Sequence, residues 1–131
     1  SETVSEDELK SVRALFDSFG KTETVAEYMM DAVVAVAGSS PAYVFMLIEA
    51  MADAAVMGGI PRSSAYTFAA QAVLGSAKMV LETGKHPGDL KDMVCSPAGT
   101  TIEAVRVLER DGFRSSVIEA MDACIKKSKS L

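Results

Sequence analysis

The sequence predicts an all-α domain preceded by a short helix–strand unit, and three observations carry that prediction. The 131 residues are 49% hydrophobic but only 6% aromatic, with eight Met, no Trp and abundant Ala. Such a mixture favours packed helices over sheets. Helix starts and stops recur along the chain: Ser5–Glu8, Gly58-Gly59 with Pro61, Thr83-Gly84 with Pro87, Thr100–Glu103 and Asp111-Gly112. One stretch, about Pro41 to Met57, is apolar nearly all round, with Val44, Phe45, Met46, Leu47, Ile48, Met51 and Val56. A helix of that kind is buried on every side. A domain this small offers little room for it, so burial against a second subunit is expected.

Ser5-Glu6-Asp7-Glu8 reads as a capping box with acidic residues in the first turn. The helix it opens places Leu9, Val12, Leu15, Phe16 and Phe19 at helical spacing and stops at Gly20. Thr22 to Val25 reads as a short strand, which cannot stand alone; it pairs with another chain or its sheet is missing. Glu27 to about Val36 forms a short helix. Ser40 as N-cap and Pro41 at N1 begin the apolar helix, which Gly58-Gly59 ends. Pro61 restarts the chain into a helix from Arg62 to about Leu81, where the mid-helix Gly75 suggests a close crossing. A short helix from Pro87 to Val94, one from Thr101, and one from Phe113 to about Lys129 follow.

The net charge of −5 argues against a nucleic-acid binder, which presents a basic face. The cysteines, Cys95 and Cys124, form no CxxC, so no zinc site is expected and reduced thiols in a cytoplasmic protein are the default. No signal or transit peptide is visible. Glu49 and Asp53 interrupt the longest apolar run, so no membrane span is expected. The two carboxylates lie one turn apart, which points to a structural pairing, with Arg62 as partner. His86, the single histidine, reads as a loop residue near a helix start.

The stretch with most chemical content is Ser96-Pro97-Ala98-Gly99-Thr100-Thr101-Ile102-Glu103. It reads as a tight loop opening into a helix, with Gly99 free to take positive φ and Thr100–Glu103 forming a capping box. Thr101 falls on the first helical turn. The N–H groups there and the positive end of the helix dipole suit a small anion such as a carboxylate. The plain alternative is a well-capped helix and nothing more.

The string from His86 to Ile102, HPxxLKDxVxSPxGTTI, resembles the signature region of the pyrroline-5-carboxylate reductase family. Ala37-Gly38-Ser39-Ser40-Pro41-Ala42-Tyr43 resembles that family's SGSGPAY, and Gly112 to Ala120 its GFRxxxIEA. The resemblance covers the C-terminal half of such an enzyme. It implies an interlocking helical dimerisation domain over 27–131, similar to the C-terminal domain of 6-phosphogluconate dehydrogenase. Residues 1–26 are then the last helix and strand of a Rossmann domain. It also implies NAD(P)H-dependent reduction of 1-pyrroline-5-carboxylate to L-proline by a cytoplasmic homodimer or ring of dimers.

By the same resemblance, Thr101 is the catalytic threonine that hydrogen-bonds the imine nitrogen. Glu27, Ser96, Ala98, Gly99, Thr100 and Thr101 meet the substrate, and Met93 lies near the cofactor, NADP or NAD. Ala98 stands where the family has the first glycine of SPGG; if that position needs positive φ, alanine is strained there. No GxGxxG follows a strand anywhere, so the cofactor is expected to be bound mainly by an absent N-terminal domain, and this chain alone is expected to be inactive. The alternative function is a non-catalytic helical dimerisation module.

Overall fold

The structure is a computed structural model that describes residues 4–130. The chain separates into two compact units, 1–30 and 31–131. The first three residues of the expected 1–26 unit lie outside the described part.

In the first unit, α1 (Glu6–Asp17) starts at the expected capping box. The Glu8 N–H donates to Ser5 Oγ at 3.3 Å, and the Ser5 N–H donates to Glu8 Oε2 at 2.9 Å. The Ser5 N–H, and then the Ser5 Oγ donating to Glu8 Oε2 at 2.8 Å, hold the Glu8 carboxyl below its ordinary value. The helix ends at Asp17, ahead of the expected Gly20, because Ser18 closes it: its Oγ and its N–H both donate to the Leu15 carbonyl. The strand expected at Thr22–Val25 is not formed; this stretch has no regular secondary structure and ladders with nothing among the described residues. A lone strand has no partner for its backbone groups. Arg13 instead reaches the Thr24 hydroxyl. The face of α1 that carries Leu15 and Phe16 stays open, and Phe19 beyond the helix end is 75% exposed.

Helical structure then runs unbroken from Glu27 to Met57. A 3₁₀ turn (Glu27–Met29) leads into α2 (Met30–Val33), a π-helical segment (Val34–Ser39) and α3 (Ser40–Met57). The break expected at Ser40-Pro41 is therefore absent. Proline has no N–H, and its ring collides with the carbonyl four residues back, here that of Ala37. Widening the turns ahead of it to i→i+5 spacing lets the helix pass through. Ser40 is no N-cap; its Oγ donates to the Val36 carbonyl at 2.7 Å, within the bulge.

In the second unit α3 folds back into α4 (Arg62–Thr83) through Gly58–Pro61. Gly59 has φ 94°, which a glycine adopts without strain. Ala52, Ala65 and Ala69 are buried where the two helices meet, with Ile48, Val56 and Ile60 packed against them. Of the two carboxylates expected to pair with Arg62, Asp53 does so across this hairpin, and the guanidinium lies 5.7 Å from the Tyr66 ring centre. Gly84, at φ 63°, ends α4. Gly75 does not mark a crossing within the chain: a Cβ there meets nothing within 4 Å.

Three further helices complete the unit: α5 (Pro87–Val94), α6 (Thr100–Arg110) and α7 (Phe113–Ser128). Gly112, at φ 76°, turns α6 into α7. The α7 helix packs on the π segment and holds it by side chains. Cys124 Sγ donates to Ser39 Oγ at 3.2 Å, and Ser128 Oγ donates to Asp31 Oδ1 at 2.5 Å. Burial, then the neighbouring Cys124, pushes the Tyr43 phenol up.

Among the described residues, every buried side chain is an alanine: Ala35, Ala52, Ala65 and Ala69. Phe45 and Met46 on α3 are 68% and 67% exposed. By length, and by the mean hydropathy of 1.6 over an 18-residue stretch within it, the Glu27–Met57 helix is long and apolar enough to cross a membrane, where no span was expected.

Candidate functional site

The site segment runs from the start of α5 to the first turn of α6. The imidazole of His86 caps α5, with Nδ1 accepting from the Gly88 N–H at 3.0 Å and Pro87 at N1. His86 is thus the cap itself, not a loop residue near one. The signal was Pro87 in the N1 position right after it. At the far end of α5, the Cys95 N–H donates to the Lys91 and Asp92 carbonyls at 3.2 and 3.1 Å.

The chain then reverses through Ser96-Pro97-Ala98-Gly99, closed by the Gly99 N–H donating to the Ser96 carbonyl at 3.0 Å. Proline second and a positive φ third are the marks of a type II turn. The positive φ belongs to Ala98, at 55°, and not to Gly99, which sits at φ −80°. Alanine is strained in this left-handed region. Gly99 is needed for space: a Cβ there collides with Ser96 Oγ and lies 3.1 Å from the Ser96 carbonyl oxygen.

Two opposite outcomes follow for adjacent residues. Ala98→Gly relieves the left-handed strain and raises stability by about 1 kcal/mol. Gly99→Ala drives a methyl into Ser96 and lowers stability by about 1–3 kcal/mol. Denaturant unfolding of the two variants beside the parent chain checks both. Two shifts of the same sign would show that the turn is drawn wrongly.

The capping box expected at Thr100–Glu103 does not form. Gly99 is the N-cap and gives no side-chain cap; Thr100 is already the first helical residue. Glu103 turns forward instead, accepting from Arg106 Nε at 3.1 and 3.0 Å. That guanidinium one turn on outcompetes the backbone and holds the Glu103 carboxyl below its ordinary value. The first turn of α6 therefore keeps N–H groups with no side-chain acceptor. Of the four expected donors, Gly99 is committed to Ser96. Ala98 precedes the helix, and Thr100 and Thr101 face its open end. Thr101 is half-buried, while Ser96, Ala98 and Thr100 are exposed.

Met93 is 64% exposed and lines a groove of about 350 Å³ between α4 and α5, shared with Met79, Val80, Leu90 and Val94. Lys85 Nζ lies 3.8 Å from its sulfur. The structure thus brings Met93, Ser96, Ala98, Gly99, Thr100 and Thr101 onto one continuous segment. Glu27 belongs to the other unit, exposed on the 3₁₀ turn that follows Ala26. Among the described residues, no three His, Cys, Asp or Glu side chains gather as a metal site.

Residues 27–131 match the family model for pyrroline-5-carboxylate reductase dimerisation. The chain belongs to that family. Among curated relatives, the pyrroline-5-carboxylate reductase of Escherichia coli (strain K12) is 67% identical over 128 residues, 98% of this chain and 48% of the relative. Among solved structures, a pyrroline-5-carboxylate reductase from Coxiella burnetii superposes with a TM-score of 0.92 at 34% identity, over 99% of this chain and 48% of that one. A pyrroline carboxylate reductase of Plasmodium falciparum, solved with NADP bound, superposes with a TM-score of 0.86 at 33% identity, over 99% and 52%. The chain spans about half the length of these pyrroline-5-carboxylate reductases. The all-α class expected from composition and caps is the fold observed, and the family expected from the three motifs is the family matched.

Proposed function

We propose that this chain is the C-terminal, substrate-binding and dimerising part of a cytoplasmic reductase that converts 1-pyrroline-5-carboxylate to L-proline with NADPH or NADH. Residues 27–131 form the dimerisation and substrate domain, and 1–26 the end of the dinucleotide domain, of which α1 is the helix formed here. The observation that carries the reading is the type II turn at Ser96–Gly99, which delivers Thr101 and an uncapped helix start to one place.

At that place the N–H groups of Thr100 and Thr101, with Ala98 beside them, bind the substrate carboxylate, aided by the helix dipole. Ser96 shapes the turn, and Gly99 leaves the space the turn needs. Thr101 Oγ donates to the imine nitrogen. A nicotinamide held by the rest of the reductase would supply the hydride for ring carbon C5. The C=N bond then becomes a single bond, and the nitrogen takes a proton through the Thr101 hydroxyl, which solvent replenishes.

The described residues contain no strand, and so no strand–glycine turn–helix to hold dinucleotide phosphates. They do not fit the dinucleotide as a whole. Met93 could offer a nicotinamide packing alone, because a thioether has no N–H or O–H.

The all-alanine core supports a dimer. Side chains as large as Phe45 and Met46 each release about 1.5–3 kcal/mol on full burial. A second copy laid on α3 provides that burial, and for this reason the apolar Glu27–Met57 helix is read as a dimer core and not as a membrane span. Assembly into rings of such dimers rests on the family resemblance.

The test is a pair of measurements. The purified 131-residue chain sediments as a dimer at micromolar concentration without detergent, yet does not oxidise NADPH in the presence of pyrroline-5-carboxylate. The full-length reductase that contains it does. A stable monomer, or a full-length protein without reductase activity, would count against the reading. The second outcome, with a dimer, favours a helical dimerisation module without catalysis.

A further inference from the structure

We propose that His86 is a positioning residue for the Ser96–Thr101 segment, acting through the imidazole cap of α5; this rests on the reductase reading above. Nδ1 accepts the Gly88 N–H at 3.0 Å, so this nitrogen carries no proton and the ring proton sits on Nε2. Gly88 is shaped to this cap: a Cβ there lies 2.9 Å from Nδ1 and 3.3 Å from Cε1. His86, Pro87 and Gly88 thus form one device, with an acceptor, a fixed φ and an open space for the ring.

The helix it starts is eight residues long and has no buried residue. Helices this short are marginal, and one cap weighs heavily on them. Its last residues run directly into Cys95 and the turn that sets the start of α6. Loss of the cap lets α5 fray and lowers the fraction of molecules with the turn in place. When a binding site is competent only part of the time, apparent affinity falls by that fraction, while the saturated complex works normally.

The expected result in the full-length reductase is therefore a split. His86→Ala raises KM for pyrroline-5-carboxylate about fivefold and leaves kcat within twofold. His86→Asn, which restores a side-chain acceptor at the N-cap, returns KM to near the parent value. Gly88→Ala, which pushes the ring off the helix start by an independent route, copies His86→Ala. In the isotope-labelled 131-residue chain, NMR shows a coupling through the hydrogen bond from the Gly88 amide to Nδ1 of His86. An unchanged KM in both His86→Ala and Gly88→Ala overturns the proposal, as does a hundredfold fall in kcat at constant KM, or absence of the coupling. The coupling needs no catalysis, so its presence in a protein without reductase activity separates failure of the functional reading from failure of this one.

Discussion

Replacing Thr101 by alanine in the full-length reductase lowers kcat about a hundredfold. On the proposed reading the hydroxyl donates to the imine nitrogen, where negative charge appears as hydride arrives. Loss of one donor aimed at developing charge costs on the order of 10²-fold or more in rate. A helix-start role predicts something else: about 1 kcal/mol of stability and an intact kcat. The geometry already weakens that alternative, because Gly99 is the N-cap and Thr101 is the second helical residue. Thr101→Ser keeps the hydroxyl and removes only a methyl, so it retains much of the activity, and both variants fold and dimerise like the parent. Steady-state kinetics with pyrroline-5-carboxylate as varied substrate decide it. Parental kcat and kcat/KM in Thr101→Ala would end the catalytic assignment.

The second large effect is on assembly. Phe45→Asp on α3 weakens the dimer roughly a thousandfold. Phe45 is 68% exposed in the single chain, and its burial against a second copy contributes about 2 kcal/mol. A twofold interface counts each substitution twice, which gives ~4 kcal/mol, or about three powers of ten in Kd. The new carboxylate also has to be desolvated or leave the interface. Sedimentation velocity over a dilution series reads the dissociation directly. A dimer as tight as the parent's would move the interface off this face of α3. Substitution at an exposed site does little to the α3–α4 hairpin, whose own contacts are made by Ala52, Ala65 and Ala69.

Most of the helix order was legible from the chain because it rests on local rules. Ser5 with Glu8, Gly84 and Gly112 act on their own neighbours, and each ends or starts a helix where its chemistry says it must. The all-round apolar character of α3 likewise announced a surface that one chain does not cover. The Asp53–Arg62 pair was readable because the short Gly58–Pro61 connection returns the second helix beside the first.

Other features depended on competition between partners that sequence spacing does not rank. Ser40 and Pro41 carry the marks of a helix start, yet the turns before them widen into a π segment that α7 holds through Cys124, while Ser128 ties down Asp31 in α2 ahead of it. Thr100 and Glu103 carry the marks of a capping box, but Arg106 takes the carboxylate. In the Ser96–Gly99 turn the sequence offered both Gly99, free to take positive φ, and Ala98, in the place of a family glycine, without ranking them. The backbone places that burden on Ala98 and uses Gly99 for its missing Cβ. By itself the sequence determined the helices, their order and the family. The tertiary structure decided which acceptor each helix end uses and where the strain sits, because those depend on distances between groups that compete for the same bond.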